Sequence, residues 1–412
     1  MTVAWKKEYD PSQLAGYIEA NKTQAESRRL SFEPFLLREY EVLLCSMLHF
    51  GDPIPEVDAR RIVHQAIFKT AEKGTVTANA LLAEVNRLEN EYSARPLKRY
   101  VMVTSLSLSR FASLPRCRFG NTVIVFEPRL PVRYQGPASE LIADARYSLF
   151  ADPPADYLST RVHVSARSEF QAAEVALETL DLARGMWNWY YNLQQLTRES
   201  GGRRLPVNRI VLGPLHTLHH PGGKLATKTW WYESGYCGPV PVHDPSSKVH
   251  AMYEFLASVR NRLARCRYPG IIGQAIVRYT RALDLQDWDA AFLKLWGVLE
   301  LLTDSSRKAS DVTIKRTAFV YEDRQYALEV LKHLRDYRNR FVHADQTDSR
   351  IETCLYQMKN SVEALLSFHL RSRHRFESIK EAAEFLDLPP ERNVIESRLK
   401  LMKYAHKFRG YV

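Results

Sequence analysis

The chain has 412 residues, which is longer than a typical single domain, so we expect two or three domains. Hydrophobic residues make up 45% of it and charged residues 25%, which is typical of a soluble globular protein, and the absence of internal repeats excludes a repeat architecture. The formal net charge of +11 favours an anionic partner, either nucleic acid or an acidic surface.

The cysteines and the hydropathy pattern limit the compartment. The cysteines are odd in number, scattered and without a C-x-x-C pair, which argues against a disulfide framework and against a zinc site. The N-terminus has no apolar signal core, and no apolar run approaches transmembrane length. We therefore expect a cytoplasmic protein with reduced thiols and no membrane contact. The cysteines are Cys45, Cys117, Cys237, Cys266 and Cys354.

Hydrophobic periodicity predicts a mainly helical α+β fold in three regions. Residues 1–95 have helical spacing, residues 96–245 mix strands with a helix, and residues 246–412 are helical again. The prolines between 239 and 245 mark the second boundary as a linker.

The middle region contains runs of β-branched and aromatic residues that predict strands. A helix is predicted over 168–191, because Ser168 and Gln171 have the spacing of a capping box. The predicted strands cover 100–106, 122–126, 161–164, 207–212 and 227–232.

The start of the middle region is strongly basic, with Glu127 as its one acidic residue between positions 95 and 133. Interleaved aromatic residues would let this segment follow a nucleic-acid backbone and stack bases. A solvated basic face over a strand core explains the pattern equally well. The basic residues are Arg95, Lys98, Arg99, Arg110, Arg116, Arg118, Arg129 and Arg133, and the aromatic ones are Tyr100, Phe111, Phe119, Phe126 and Tyr134.

Three histidines in the middle region, His216, His219 and His220, are close together in the sequence and are considered as metal ligands. Zinc needs three or four converging nitrogen or sulfur ligands, and the sequence His-x-x-His-His before Pro221 lacks a known ligand spacing. An exposed loop is the favoured interpretation, and no metal site is predicted.

The helices of the last region carry the densest positive charge in the chain. Helices are predicted over 249–266 and 271–285, and no acidic residue lies between Glu254 and Asp284. Arg260, Arg262 and Arg265 are therefore candidates for binding RNA phosphates, although a solvated face explains them equally well.

Residues 334–345 read LRDYRNRFVHAD and contain the candidate chemistry. An apolar row with helical spacing predicts a helix, and a second row of Arg335, Asn339 and His343 follows at steps of four. Arg338 and His343 are about 140° apart around a straight helix. Either the helix breaks before His343, or a second copy of the chain completes the site.

This stretch resembles the HEPN superfamily, in particular its Apea-like branch, whose mark is an arginine, a polar residue and a histidine a few positions later. Here the mark is Arg338, Asn339 and His343. The segment 290–304 is similar to the family helix with a Trp/Leu-Glu-Leu pattern, and 313–321 is similar to its short arginine-containing helix. The resemblance covers about residues 246–375.

The resemblance implies a metal-independent endoribonuclease, which would use the ribose 2′-hydroxyl as nucleophile and leave a cyclic phosphate. His343 would be the general acid/base, Arg338 would hold the phosphate and Asn339 would orient the substrate or the imidazole. Arg335 and Arg340, on the same helix, would bind RNA. No cofactor is implied.

Many relatives are toxins or antiviral effectors that act as homodimers, so we expect a homodimer through the C-terminal helices and RNA as the partner. The alternative is a non-catalytic RNA-binding or assembly module that retains the helices. With either function, residues 1–245 are expected to sense or position a ligand.

Overall fold

The fold is that of a mainly helical α+β protein, as the periodicity predicts, with 57% of the described residues in helices and 14% in strands. The computed structural model describes residues 3–24, 30–51, 53–146, 154–195, 204–236, 238–306, 309–344 and 350–411. At positions 24, 142, 144–146 and 341–344 it describes the backbone alone.

The N-terminal region has a hydrophobic core of its own, in which residues between Val3 and Tyr92 pack together. Thr77 caps the last of its helices, since its hydroxyl accepts a hydrogen bond from the N–H of Ala80 at 3.2 Å. The helices are α1 (Pro11–Ala20), α2 (Pro34–Met47), α3 (Glu56–Lys73) and α4 (Ala78–Ser93), and two short antiparallel pairs join β1 (Ala4–Trp5) to β4 (Leu48–His49) and β2 (Thr23–Gln24) to β3 (Leu30–Ser31).

A six-stranded antiparallel sheet forms the middle region, in the order β10-β9-β5-β8-β7-β6. The longest pairing aligns Lys98 with Ala166 at the start of β5. The strands are β5 (Lys98–Ser109), β6 (Cys117–Phe119), β7 (Thr122–Glu127), β8 (Tyr157–Ala166), β9 (Leu215–His219) and β10 (Leu225–Tyr232), and the helices between them are α5 (Val132–Arg146) and α6 (Glu169–Asn192).

The strand predicted over 207–212 is wrong. Only Leu212 forms an isolated bridge, to Leu106. The N–H groups of Ile210 and Val211 donate instead to the side chains of Asn188 and Ser107, at 3.0 and 2.9 Å. Side chains thus take two N–H groups that a ladder would use. Backbone bonds between this described stretch and β5 remain only beside the bridge, from the N–H of Ser107 to the carbonyl of Val211 and from the N–H of Gly213 to the carbonyl of Ser105.

Helix α6 joins the sheet to the C-terminal helices. Its predicted cap is confirmed, because the Ser168 hydroxyl accepts from the N–H of Gln171 at 3.0 Å. A Cβ at Gly185 would lie 2.2 Å from Oγ1 of Thr280 in α8 (Pro269–Leu283), so glycine permits the close approach of these helices. One hydrophobic core runs from the sheet into the C-terminal helices and crosses the predicted boundary at 245/246.

The remaining helices form the C-terminal bundle. Its centre is α9, in which nine of the fifteen residues are buried. In contrast, α14 contributes no buried side chain. In the part of the chain that the structure describes, no helix combines the length and apolar character needed to cross a membrane. The helices besides α8 are α7 (Val249–Arg265), α9 (Trp288–Leu302), α10 (Ser310–Ala318), α11 (Arg324–Ala344), α12 (Ile351–Arg371), α13 (Ile379–Leu386) and α14 (Arg392–Phe408).

Two of the three histidines that were expected in an exposed loop lie elsewhere. His216 and His219 are on β9 and are fully buried. His216 contacts Thr104 and Glu233 through its two ring nitrogens, at 2.7 and 3.1 Å, and His219 contacts Thr217 and the carbonyl of Gly223. The loop interpretation is wrong for these two residues, because β9 lies between two other strands and buries all five of its residues, polar ones included. His220 follows β9 and is exposed, as expected.

Candidate functional site

The candidate motif lies at the end of α11, where apolar side chains fix the orientation of the helix. Leu334 and Tyr337, two residues of the predicted apolar row, are buried against the bundle, while Val330 of the same row is half-buried and its neighbour Leu331 is buried. The Tyr337 hydroxyl donates to a carboxylate oxygen of Asp289 at 2.5 Å, and its ring lies 5.0 Å from that of Phe292. These two contacts hold the part of α11 around Tyr337 against α9.

Arg338 and Asn339 are close neighbours, and both are half-buried. The guanidinium of Arg338 lies over the indole ring of Trp296, 5.6 Å from its centroid, and its Nη1 donates to Oδ1 of Asn339 at 3.3 Å. The ring itself is held in place, since the indole N–H of Trp296 donates to Glu300 at 2.8 Å. A planar cation stacked on a fixed ring is pre-oriented for a phosphate group.

Helix α11 continues without a break through His343 to Ala344. A break before His343 was one of two ways to bring this residue to Arg338, and it is wrong. No proline or glycine interrupts the motif, so nothing in the local sequence ends the helix there. The side chain of His343 lies outside the described part. On the continuous helix, its backbone position is about 140° from that of Arg338.

The other two arginines of the motif differ in their surroundings. Arg335 donates to Asp311 of α10 at 2.5 Å and to Asp336 at 3.1 Å, so it connects two helices. Arg340 is exposed. Binding of RNA by Arg335 would therefore require the exchange of existing ion pairs.

Arg316, on the short arginine-containing helix, is buried and has a structural role. Its guanidinium donates to the carbonyls of Thr303 and Asp304 at 2.6 and 3.1 Å, just after the end of α9, and also binds both carboxylate oxygens of Asp387. It therefore caps α9 and ties that end to α13.

Arg260, Arg262 and Arg265, the candidates for binding RNA phosphates, lie in the C-terminal part of α7. Arg262 and Arg265 line a cavity of about 400 Å³ with residues that follow α12, whereas the motif precedes the start of α12. None of the motif residues whose side chains the structure describes lines this cavity. Arg260 donates to the carbonyl of Arg118 at 3.0 Å and so holds α7 against the sheet.

The basic segment at the start of the sheet has few rings free for stacking. Tyr100, Phe126 and Tyr134 are buried, whereas Phe111 is 79% exposed. Glu127 is bound by Arg161 through both carboxylate oxygens. The arrangement favours a solvated basic face over a strand core, which was one of the two interpretations of this segment.

A buried ion network that the sequence analysis missed lies between α6 and α8. Arg184 is fully buried and binds Asp181 and Asp284, each at 2.6 Å, while Arg281 binds the other oxygen of Asp181. Asn208 donates to Asp284 at 2.8 Å. The one available signal was the i,i+3 spacing of Asp181 and Arg184, which is also common on exposed helix faces.

The buried His369 makes stability sensitive to acid. Its Nε2 lies 2.8 Å from the carbonyl of Leu302 and its Nδ1 lies 2.8 Å from the hydroxyl of Tyr268, and burial lowers its pKa to about 4. The unfolded chain takes up this proton near pH 6.5 and the folded chain near pH 4. Stability is therefore complete above about pH 6.5 and is lost as the pH falls toward 4, by about 3 kcal/mol from this group.

We expect His369→Gln to make the free energy of unfolding less dependent on pH between 6.5 and 4, even though the variant is less stable at pH 7.5. His374→Gln is the control, because His374 is exposed and five residues away. Denaturant unfolding at several pH values measures both slopes. An unchanged slope in His369→Gln would show that other groups cause the acid sensitivity.

Comparisons with protein-family models, with curated proteins and with solved structures found no match to this chain. Among the described residues, no group of three or more histidine, cysteine or acidic side chains could hold a metal ion.

Proposed function

We propose that the chain is a metal-independent endoribonuclease of the HEPN type. The observation that supports this proposal is that Arg338 lies over the ring of Trp296 and donates to Asn339, on a helix that continues to His343. These residue types suit RNA cleavage, because arginine binds phosphate oxygens through a fixed fork and histidine transfers protons near neutral pH.

The proposed reaction needs only groups of the chain and of RNA. The 2′-hydroxyl loses its proton to a base and attacks the adjacent phosphorus, and the bond to the 5′-oxygen of the next nucleotide breaks. That oxygen receives a proton, so the products are a 2′,3′-cyclic phosphate and a 5′-hydroxyl. His343 would transfer protons, Arg338 would stabilise the charge that develops on the phosphate oxygens, and Asn339 would orient the substrate or the imidazole.

We further propose that two copies of the chain form the site together. Because α11 is continuous, one copy holds Arg338 and His343 on different sides of a single helix. A two-fold axis beside α11 would bring the Arg338 of one copy toward the His343 of the other, and such an interface is self-complementary.

The composite site has a direct test by mixing variants. Arg338→Ala and His343→Ala should each be inactive alone, and both should sediment as dimers. When they are mixed and allowed to exchange subunits, heterodimers hold one intact arginine and one intact histidine, so RNA cleavage should return. An active parent that sediments as a monomer would exclude the composite site.

The alternative, a non-catalytic RNA-binding or assembly module, is favoured by one observation. Arg335 and Arg338 both have partners within the chain, Asp311 and Trp296, so they also stabilise the bundle. A module of this kind would bind RNA without cleaving it, and His343→Ala would leave its properties unchanged.

The biological role that we propose is that of a toxin or antiviral effector that acts in the cytoplasm by degrading RNA. Residues 1–245 would then sense or position a ligand, while Arg340, Arg335 and the arginines of α7 contact RNA away from the cleaved bond. A regulatory protein or ligand fits such a role, because an unregulated ribonuclease damages its own cell.

A further inference from the structure

The cavity at the end of α7 has a strongly positive lining. Its volume is about 400 Å³, which lies within the range of small-molecule sites. Its lining contains six arginine and histidine side chains and no carboxylate. They are Arg262, Arg265, Arg267, His369, His374 and Arg375.

Three of these arginines face the cavity without an acidic partner. Within the described residues, no carboxylate forms an ion pair with Arg262, Arg265 or Arg375. Two acidic residues lie near the cavity but outside its lining. Glu377 lies 3.6 Å from Arg267, and Glu381 lies 3.6 Å from His374. Like charges around one cavity repel each other, and a multivalent anion would remove this repulsion.

Compensation of helix dipoles explains only part of this arrangement. Arg262 and Arg265 lie in the last turn of α7, where a cation stabilises the negative end of the helix. Arg267 and Arg375 lie beyond the ends of α7 and α12, so this effect does not account for them. Four arginines from two segments that are far apart in the sequence thus meet at one place.

One wall of the cavity is formed by a buried histidine that is held by hydrogen bonds. His369 is buried and has partners at both ring nitrogens, one of which is the hydroxyl of Tyr268. The exposed ring of His374 lies against that of Phe376, with 4.8 Å between the ring centroids, and offers a flat surface at the rim. Arginines beside a hydrogen-bonded imidazole and an exposed aromatic ring suit a phosphate group attached to a nucleoside.

We propose that this cavity binds the terminal phosphate of a nucleotide, either of a free nucleotide or of the end of an RNA strand. A terminal phosphate carries a charge of about −1.5 to −2 at pH 7, so it matches several unpaired arginines better than a backbone diester with one charge. The inference extends the proposed RNA binding by Arg262 and Arg265 but does not depend on cleavage, because none of the motif residues with described side chains lines the cavity.

The test measures binding with probes that the proposed reaction cannot cleave. Three fluorescent DNA oligonucleotides of one sequence carry a 5′-phosphate, a 3′-phosphate or no terminal phosphate, and titration with the intact protein gives their affinities. We expect one phosphorylated form to bind at least tenfold more tightly than the unphosphorylated form. Competition by 5′-AMP or 3′-AMP would identify a free nucleotide as a sufficient ligand, and binding of the oligonucleotide without such competition would identify a strand end.

Two neighbouring arginines provide a matched pair of variants. Arg375→Ala removes a cation from the cavity and should weaken binding of the phosphorylated oligonucleotide about tenfold. Arg373→Ala removes the same charge two residues earlier, outside the cavity lining, and should change the affinity less than twofold. Both side chains are exposed, so both variants should fold. Equal affinities of the three oligonucleotides, or equal losses in the two variants, would overturn the proposal whether or not the protein cleaves RNA.

Discussion

Replacing Arg338 with alanine is expected to reduce RNA cleavage by about 100-fold or more, the loss typical when a group that stabilises transition-state charge is removed. The fold should persist, because Arg338 is half-buried and its stacking on Trp296 contributes about 1 kcal/mol. Cleavage rates of a labelled RNA and thermal unfolding of the same preparations measure the two effects separately.

Two further variants make the Arg338 result specific. Arg338→Lys keeps the charge but loses the planar fork, so it should restore little of the activity. Lys332→Ala removes an exposed cation from the same helix, one that pairs only with Glu329 three residues earlier, and should leave cleavage unchanged within twofold. Equal losses in Arg338→Ala and Lys332→Ala would mean that general charge, and not this position, determines the rate.

Replacing Arg184 with alanine is expected to lower the free energy of unfolding by about 3–5 kcal/mol, because it leaves buried carboxylates without their cation. Asp181 and Asp284 both bind this side chain, and Arg184 is fully buried between α6 and α8. Denaturant unfolding measures the loss.

The Arg184 variant has a control that shares one of its partners. Arg281 also binds Asp181 at 2.6 Å, but its side chain is 54% exposed. Arg281→Ala should therefore cost at most about 1 kcal/mol, as exposed ion pairs usually do. Losses of similar size in the two variants would contradict the central position that we assign to Arg184.

Much of the fold was predictable because helices of the bundle bury one continuous stripe. The existence of α9 and α12 agrees with their apolar spacing, and the start of α6 follows from Ser168 and Gln171. Such signals are local, so a single sequence contains them.

The features that sequence reasoning missed depend on contacts between distant segments. His216 appeared to lie in a polar loop, and only its position on an interior strand explains its burial. Arg262 and Arg375 are more than 100 residues apart, and only the packing of α7 against the end of α12 brings them to one cavity. In the motif, the sequence identifies Arg338 as a candidate catalytic residue. It gives no indication that the Arg338 side chain lies over the ring of Trp296.

The central claim is that this chain cleaves RNA without a metal by means of His343. The most direct measurement is incubation of a labelled RNA with the purified intact protein in excess chelator, followed by analysis of the product ends. We predict cleavage to 2′,3′-cyclic phosphate and 5′-hydroxyl ends by the parent and none by His343→Ala at the same concentration. Cleavage by His343→Ala at the rate of the parent would contradict the claim, as would a parent that binds RNA and leaves it intact.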